Sequence, residues 1–179
     1  QYDINFESQE NVTIPDYLKM ITLKTAVLLG CSLKLGALVG NANETQASAL
    51  YDFGKNLGVS FQLKDDWLDV FGSREKVGKK VGGDIVQNKK TYMLIKAMEL
   101  ADGETKSELQ GWLTNDKDEA AKVEAVTNIY LTLKVDKWAE RRSDEYFQKA
   151  LTSLENINIS KERLEPLCQL AHDVLARQR

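Results

Sequence analysis

Proline sets the first limit on this chain. It occurs only at Pro15 and Pro166, and the 150 residues between them contain none. Without it, nothing removes a backbone donor or clashes with the preceding turn, so long helices can run unbroken. No stretch alternates strictly between apolar and polar residues with the Val, Ile and Thr richness of a strand. The expectation is an all-α protein. Its 179 residues are 42% hydrophobic and 28% charged, enough to bury a core and unlike a disordered tail.

Helix signals place the elements. Thr13 is a candidate cap, with Pro15 in the first turn and Asp16 at the positive end of the dipole. The helix they start runs through Leu18, Ile21, Val27, Leu33 and Leu38 to about Gly40, with an interruption near Lys24. A second follows Asn43-Glu44-Thr45-Gln46, which resembles a capping box, and runs to Phe71 before stopping at Gly72. Gly72 to Asn88 is the one long loop, holding Gly72, Gly78, Gly82 and Gly83 with Arg74, Lys76, Lys79 and Lys80. Shorter helices follow at about 91–101, 104–113, 119–133 and 137–154, and a last one passes through Pro166 to Arg177. No internal repeat or low-complexity linker divides the chain, so a single domain is expected.

Composition removes several classes. With 24 Lys and Arg against 27 Asp and Glu, the net charge of −3 gives no basic footprint for nucleic acid. The one histidine, His172, excludes a two-His metal site and is expected at a helix surface or in a satisfied contact. Cys31 and Cys168 are too few for a disulfide scaffold and are expected as buried reduced thiols of a cytoplasmic protein. The longest apolar stretch, Thr25 to Val39, is broken by Lys34, so no membrane span is expected. Trp112 and Trp138 are expected as packing anchors, and Tyr51 lines either a cavity or the core. The chain opens on Gln1 rather than Met, which suggests a cut.

The informative stretch runs from Phe61 to Phe71. At about 100° per residue, Gln62, Asp65, Asp66 and Asp69 form a polar stripe on one side of the helix, away from Leu50, Leu57, Phe61 and Leu68. The stripe is locally unfavourable. Asp is a poor helix former, the three acids sit near the negative end of the dipole, and Asp65 and Asp69 are a like-charge i,i+4 pair. No Lys or Arg stands three or four residues away on this helix, so neutralisation must come from outside it. A solvated acidic surface is the bland explanation. The flanking Phe61, Trp67, Leu68, Val70 and Phe71 are too apolar for a free surface helix, which favours a divalent cation. An oxygen-only donor set of this kind suits Mg²⁺ shared with a phosphate group.

Cations lie elsewhere in the chain. Gly78-Lys79-Lys80-Val81-Gly82-Gly83-Asp84 is a glycine-rich loop whose backbone can approach phosphate and whose lysines supply point charges. It lacks the Walker A pattern, and alone it is equally a solvated turn. Lys24-Thr25 interrupts an apolar run; Lys24 either snorkels to the surface or is aimed at an anionic ligand.

Together, Lys24-Thr25, the run from Gln62 through Asp65, Asp66 and Asp69 to Phe71-Gly72, Gly78-Lys79, Gly82-Gly83-Asp84-Ile85 and Asn88-Lys89 resemble the trans-prenyl diphosphate synthases. The Asp triple looks like that family's second aspartate-rich motif, and the likeness covers essentially the whole chain as the C-terminal half of one synthase domain. The resemblance implies a terpenoid-synthase-type helical bundle around a central cavity, usually a homodimer. It implies a prenyltransferase that joins an allylic diphosphate to isopentenyl diphosphate with Mg²⁺. The diphosphate leaves, the isopentenyl double bond attacks the allylic carbocation, and a proton is lost.

Carried over residue by residue, the resemblance makes Asp65 and Asp69 metal-facing, with Asp65 a direct ligand and Asp66 behind it. Lys24 and Lys79 would bind the allylic diphosphate, with Lys80 an alternative to Lys79. Thr25 and Gln62, with the Lys24 carbonyl, would present oxygen dipoles to the cation. Phe61 would lie near the isopentenyl group, and Asp84 and Lys89 would support the site. The first aspartate-rich motif and the basic residues of the family's N-terminal half do not occur in these 179 residues. The chain alone is therefore expected not to turn over. A non-catalytic diphosphate-binding relative or regulatory subunit stays open, and the glycine–lysine loop argues against a terpene cyclase. The overall pattern suggests a short-chain product.

Overall fold

A computed structural model describes residues 6, 9, 11–72, 81–114, 118–155 and 157–176. Among them there are helices and no strands, as expected. The elements are α1 (Ile14–Ile21), a π-turn (Thr22–Ala26), α2 (Val27–Val39), α3 (Glu44–Phe71), α4 (Gly83–Val86), α5 (Tyr92–Leu100), α6 (Gly103–Leu113), α7 (Glu119–Thr132), α8 (Val135–Ser153) and α9 (Lys161–Ala176).

Capping explains where the two long helical runs begin. The Thr13 hydroxyl accepts the Asp16 N–H at 3.3 Å, and the Asp16 carboxylate accepts the Thr13 N–H at 3.1 Å. Asn43 and Gln46 exchange the same pair at 2.9 and 3.1 Å. Each box satisfies two amides that the first turn would otherwise orphan. The expected interruption near Lys24 is the π-turn, which inserts an extra residue into an otherwise continuous helix. α3 ends where Gly72 leaves helical geometry while its N–H still reaches the Leu68 carbonyl at 2.8 Å.

α3 is the strut of the molecule. The α1–π–α2 rod packs along one side of it and α8 along the other. On the first side the backbones nearly touch: a Cβ on Gly58 would lie 2.7 Å from Ala26 Cα, and one on Gly54 would lie 3.0 Å from Gly30 Cα. On the second side Ser60 and Ser143 are buried and reciprocal. Each hydroxyl reaches the other residue's carbonyl, at 2.9 and 3.0 Å. Around the strut lie two apolar clusters. One joins Tyr17, Ile21, Leu63, Met93, Val126 and Val135; the other joins Phe53, Leu57, Phe147, Leu154 and Ala171 under α9.

Several expectations need correction. The long loop contains α4, which starts from Gly82 at φ +85, a left-handed turn where a Cβ would also strike Val123 at 2.5 Å. Trp138 is not an anchor; it is 43% exposed, with the Lys96 ammonium 4.8 Å above its ring. Cys31 and Cys168 are free thiols, but half-buried rather than buried. His172, by contrast, is as expected: exposed on α9, with its ring against Phe147, centres 4.9 Å apart. Tyr51 packs under Gly30. The apolar run is also longer than expected: continuous through the π-turn, Ile14–Val39 is 26 residues, long and apolar enough by length and composition to cross a membrane. Its outer face shows Leu28 at 72% and Val39 at 86% exposure. Lys79, Lys80, Gln1 and Arg177 lie outside the described residues.

Two glycines test the strut. Gly58→Val should cost about 1–3 kcal/mol in urea denaturation, because the added atoms meet the Ala26 backbone. Gly111→Ala, on α6 with nothing near its Cβ position, should instead stabilise by about 0.5–1 kcal/mol.

Candidate active site

The three aspartates of α3 are sorted by the helix itself. Neighbouring residues point about 100° apart, so Asp65 and Asp66 cannot share an environment. Asp66 faces inward and is only 4% exposed. Its Oδ2 accepts the Tyr17 hydroxyl at 2.6 Å and its Oδ1 accepts the Gln62 amide at 3.2 Å. The Gln62 carbonyl oxygen in turn accepts the Thr25 hydroxyl at 3.3 Å. Asp69 is half-buried at the end of α3, and its Oδ2 accepts the Asp84 N–H at 2.8 Å. The Gly82 N–H donates to the Asp69 carbonyl at 2.6 Å, so the start of α4 is stitched to the end of α3. Asp84 then pairs with Lys89 at 2.9 Å. Asp65 is exposed on the surface of α3.

Two of the acids find partners outside the helix: the Tyr17 phenol for Asp66, and for Asp69 the Asp84 backbone N–H, with Lys89 behind Asp84; the Gln62 amide on Asp66 comes from α3 itself. Burial pushes the Asp66 carboxyl up to about 7, against the lowering effect of the Tyr17 hydrogen bond, with the Asp84 charge adding to the rise. Burial and the Asp66 charge hold the Tyr17 phenol well above its usual value, so it stays a donor. Burial also raises Asp69, although the Asp84 N–H favours its charged form. Desolvation works against the Lys89 ammonium, but the Asp84 hydrogen bond and the charges of Asp84, Asp66 and Asp69 outweigh it and raise its pKa.

Beside this network lies a cavity of about 50 Å³ whose wall includes Tyr17, Lys24, Gln62, Asp66, Lys89 and Lys90. Lys24 is exposed on the π-turn, while Thr25 is half-buried on the same turn. Lys90 donates to the Phe6 carbonyl at 3.5 Å and also to the Gln9 carbonyl. Phe61 is half-buried on α3, next to Gln62. The fold thus brings together Lys24, Thr25, Gln62, Asp66 and Lys89, with Asp69 and Asp84 adjoining. No local pattern marks Tyr17 or Lys90 as part of the site. Tyr17 looks like one more apolar-face residue of α1, and only the demand for an outside partner to the acidic stripe hints at it.

Among the described residues no three Cys, His, Asp or Glu converge as a ready-made metal cage. The donor set is instead one exposed carboxylate, Asp65, beside one half-buried carboxylate, Asp69. That set fits Mg²⁺, which takes one or two carboxylates and completes its shell with water and substrate phosphate.

The chain has counterparts among known proteins. Residues 1–130 match the family model described as Polyprenyl synthetase. A short-chain isoprenyl diphosphate synthase of Methanothermobacter thermautotrophicus is 35% identical over 176 residues, covering 98% of this chain and 53% of the relative. A geranylgeranyl diphosphate synthase of Saccharolobus solfataricus is 32% identical over 91% of this chain and 49% of its own length. Among solved structures, a geranylgeranyl pyrophosphate synthase superposes with a TM-score of 0.91 at 37% identity, covering 100% of this chain and 56% of that one. The chain spans about half the length of the relatives it matches. It has the all-α isoprenoid-synthase fold, and it belongs to the polyprenyl synthetase family.

The raised Asp66 carboxyl has a measurable consequence. An unfolded Asp titrates near 3.8 and this one, folded, near 7, so between those values the folded state alone keeps the proton. Its contribution to stability is complete below the lower value and is lost as pH rises through the upper one. In Mg²⁺-free buffer, urea stability should fall from about pH 5 to about pH 8, and Asp66→Asn should flatten that fall. Parallel curves for the two proteins would contradict it.

Proposed function

We propose that these residues form the diphosphate and Mg²⁺ half-site of a prenyl diphosphate synthase. The full enzyme condenses an allylic diphosphate with isopentenyl diphosphate to a short-chain product of about C15 to C20. The observation that carries the reading is the meeting of Lys24–Thr25 on the π-turn, the Gln62–Asp66 pair on α3 and Lys89 around one cavity. Asp65 and Asp69 lie on α3 one residue before and three residues after Asp66. A second support is a geranylgeranyl pyrophosphate synthase of Corynebacterium glutamicum, solved with isoprenyl diphosphate and magnesium. It matches 98% of this chain and 50% of its own, with a TM-score of 0.88 at 26% identity.

In this reading Asp65 and Asp69 hold Mg²⁺ against the allylic diphosphate. Lys24, with Lys79 or Lys80 from the glycine-rich loop, pairs with the diphosphate oxygens. Mg²⁺ supplies positive charge to a leaving group that gains negative charge as its bond breaks. Thr25, Gln62 and the Lys24 carbonyl turn oxygen dipoles toward the positive carbon. Phe61 lies by the isopentenyl group, while Asp84 and Lys89 brace Asp69. We further propose that the whole protein is a cytoplasmic homodimer, with these 179 residues as the C-terminal part of one domain.

Calorimetry tests the half-site. Mg²⁺ with inorganic pyrophosphate should bind the chain, and Asp65→Ala should weaken binding by about tenfold or more, since a charge-assisted contact is worth about 1.5–3 kcal/mol. A prenyl-transfer assay on the 179-residue chain alone should give no product. Robust turnover would remove the claim that a facing acidic motif is needed. Tight binding with no activity in a longer gene product would favour the regulatory reading.

A further inference from the structure

We infer that Tyr17 is a positioning residue of this site: its hydroxyl holds Asp66 inward and so fixes the turn of α3 from which Asp65 and Asp69 reach out. The inference rests on the proposed metal site and deepens it. Tyr17 is 1% exposed and Asp66 4%, so the bond between them is shielded from bulk solvent. Their contact, at 2.6 Å, has the length of a charge-assisted O–H···O bond.

The phenol is itself held in place. Its ring meets Tyr92 edge-on, centres 6.3 Å apart and planes at 65°, which leaves little freedom to swing away. The other Asp66 oxygen takes the Gln62 amide, whose carbonyl oxygen takes the Thr25 hydroxyl. Tyr17 therefore heads a chain of hydrogen bonds from α1, through α3, back to the π-turn that carries Lys24 and Thr25. Without the hydroxyl, Asp66 keeps one partner instead of two, and a buried acid in that state turns or draws in water. Either change loosens the tie between α1 and this part of α3, and Asp65 and Asp69 lie within two turns of it on the same helix.

A packing role alone would leave metal affinity untouched, so affinity is the test. Tyr17→Phe keeps the ring and its contact with Tyr92 and removes only the hydroxyl. In calorimetry with Mg²⁺ and inorganic pyrophosphate, it should bind about 10- to 100-fold more weakly than wild type, the usual cost of losing a group that orients a ligand. In an Asp66→Leu background, which removes the acceptor, the same change should shift affinity by less than about twofold, because the two residues act as one unit. That second comparison also serves if Tyr17→Phe alone folds poorly, since the double variant leaves no buried charge unpaired. Equal affinity of wild type and Tyr17→Phe, or additive losses in the cycle, overturns the inference. A folded wild-type chain that binds no Mg²⁺–pyrophosphate overturns the half-site reading, and this one with it.

Discussion

A helix of 28 residues can be enclosed on two sides only if its neighbours come very close, and the contact of Gly58 with Ala26 is where that happens. A side chain there would push the α1–π–α2 rod away from α3. The Thr25–Gln62 hydrogen bond, one residue before Ala26, would open with it. The missing Cβ thus does more than permit packing. It sets how far the oxygen atoms of the π-turn stand from the polar stripe of α3. The Ser60–Ser143 pair does the same on the other flank, fixing α8 with hydrogen bonds rather than with bulk.

The acidic stripe shows how one helix produces three kinds of carboxylate. Asp66 is desolvated and paired inside, Asp69 is braced by an N–H at the start of α4, and Asp65 is left to solvent. Like charges that would repel across a single face are spread over an arc, and each meets a different dielectric. Only the outer part of the arc is electrostatically available to a ligand. The inner part ties the stripe to the rest of the bundle.

Most of the fold is legible in the sequence because its signals are local. Thr13–Asp16, Asn43–Gln46 and Gly72 mark helix ends through contacts a few residues long, and the structure keeps them. The meeting of Lys24–Thr25 with Gln62 is legible only through resemblance to a family. Periodicity says which face a residue occupies and nothing about which distant face it meets. Tyr17 escapes sequence reasoning on that account: its hydroxyl bonds across 49 positions, and its neighbours in sequence are those of an ordinary core tyrosine. Trp138 misleads for a related reason. Its size suggests burial, but on α8 it lies under a lysine at the surface. The apolar length of Ile14–Val39 is hidden by Lys24 and Lys34, which look like breaks, whereas the helix carries both without ending.

The π-turn makes the register of the whole rod depend on one surplus residue. Upstream of it Tyr17 and Ile21 face the core, and downstream Gly30 faces α3. Were the turn to tighten into regular α-geometry with that residue kept, the rod would become one unbroken α-helix. The segment before the turn would then rotate by about 100° relative to the segment after it. Tyr17 would point away from Asp66 while the capping box at Thr13 stayed intact. The wide turn absorbs the extra residue, and it is this backbone geometry that keeps Tyr17 and Gly30 each on its own face of the rod.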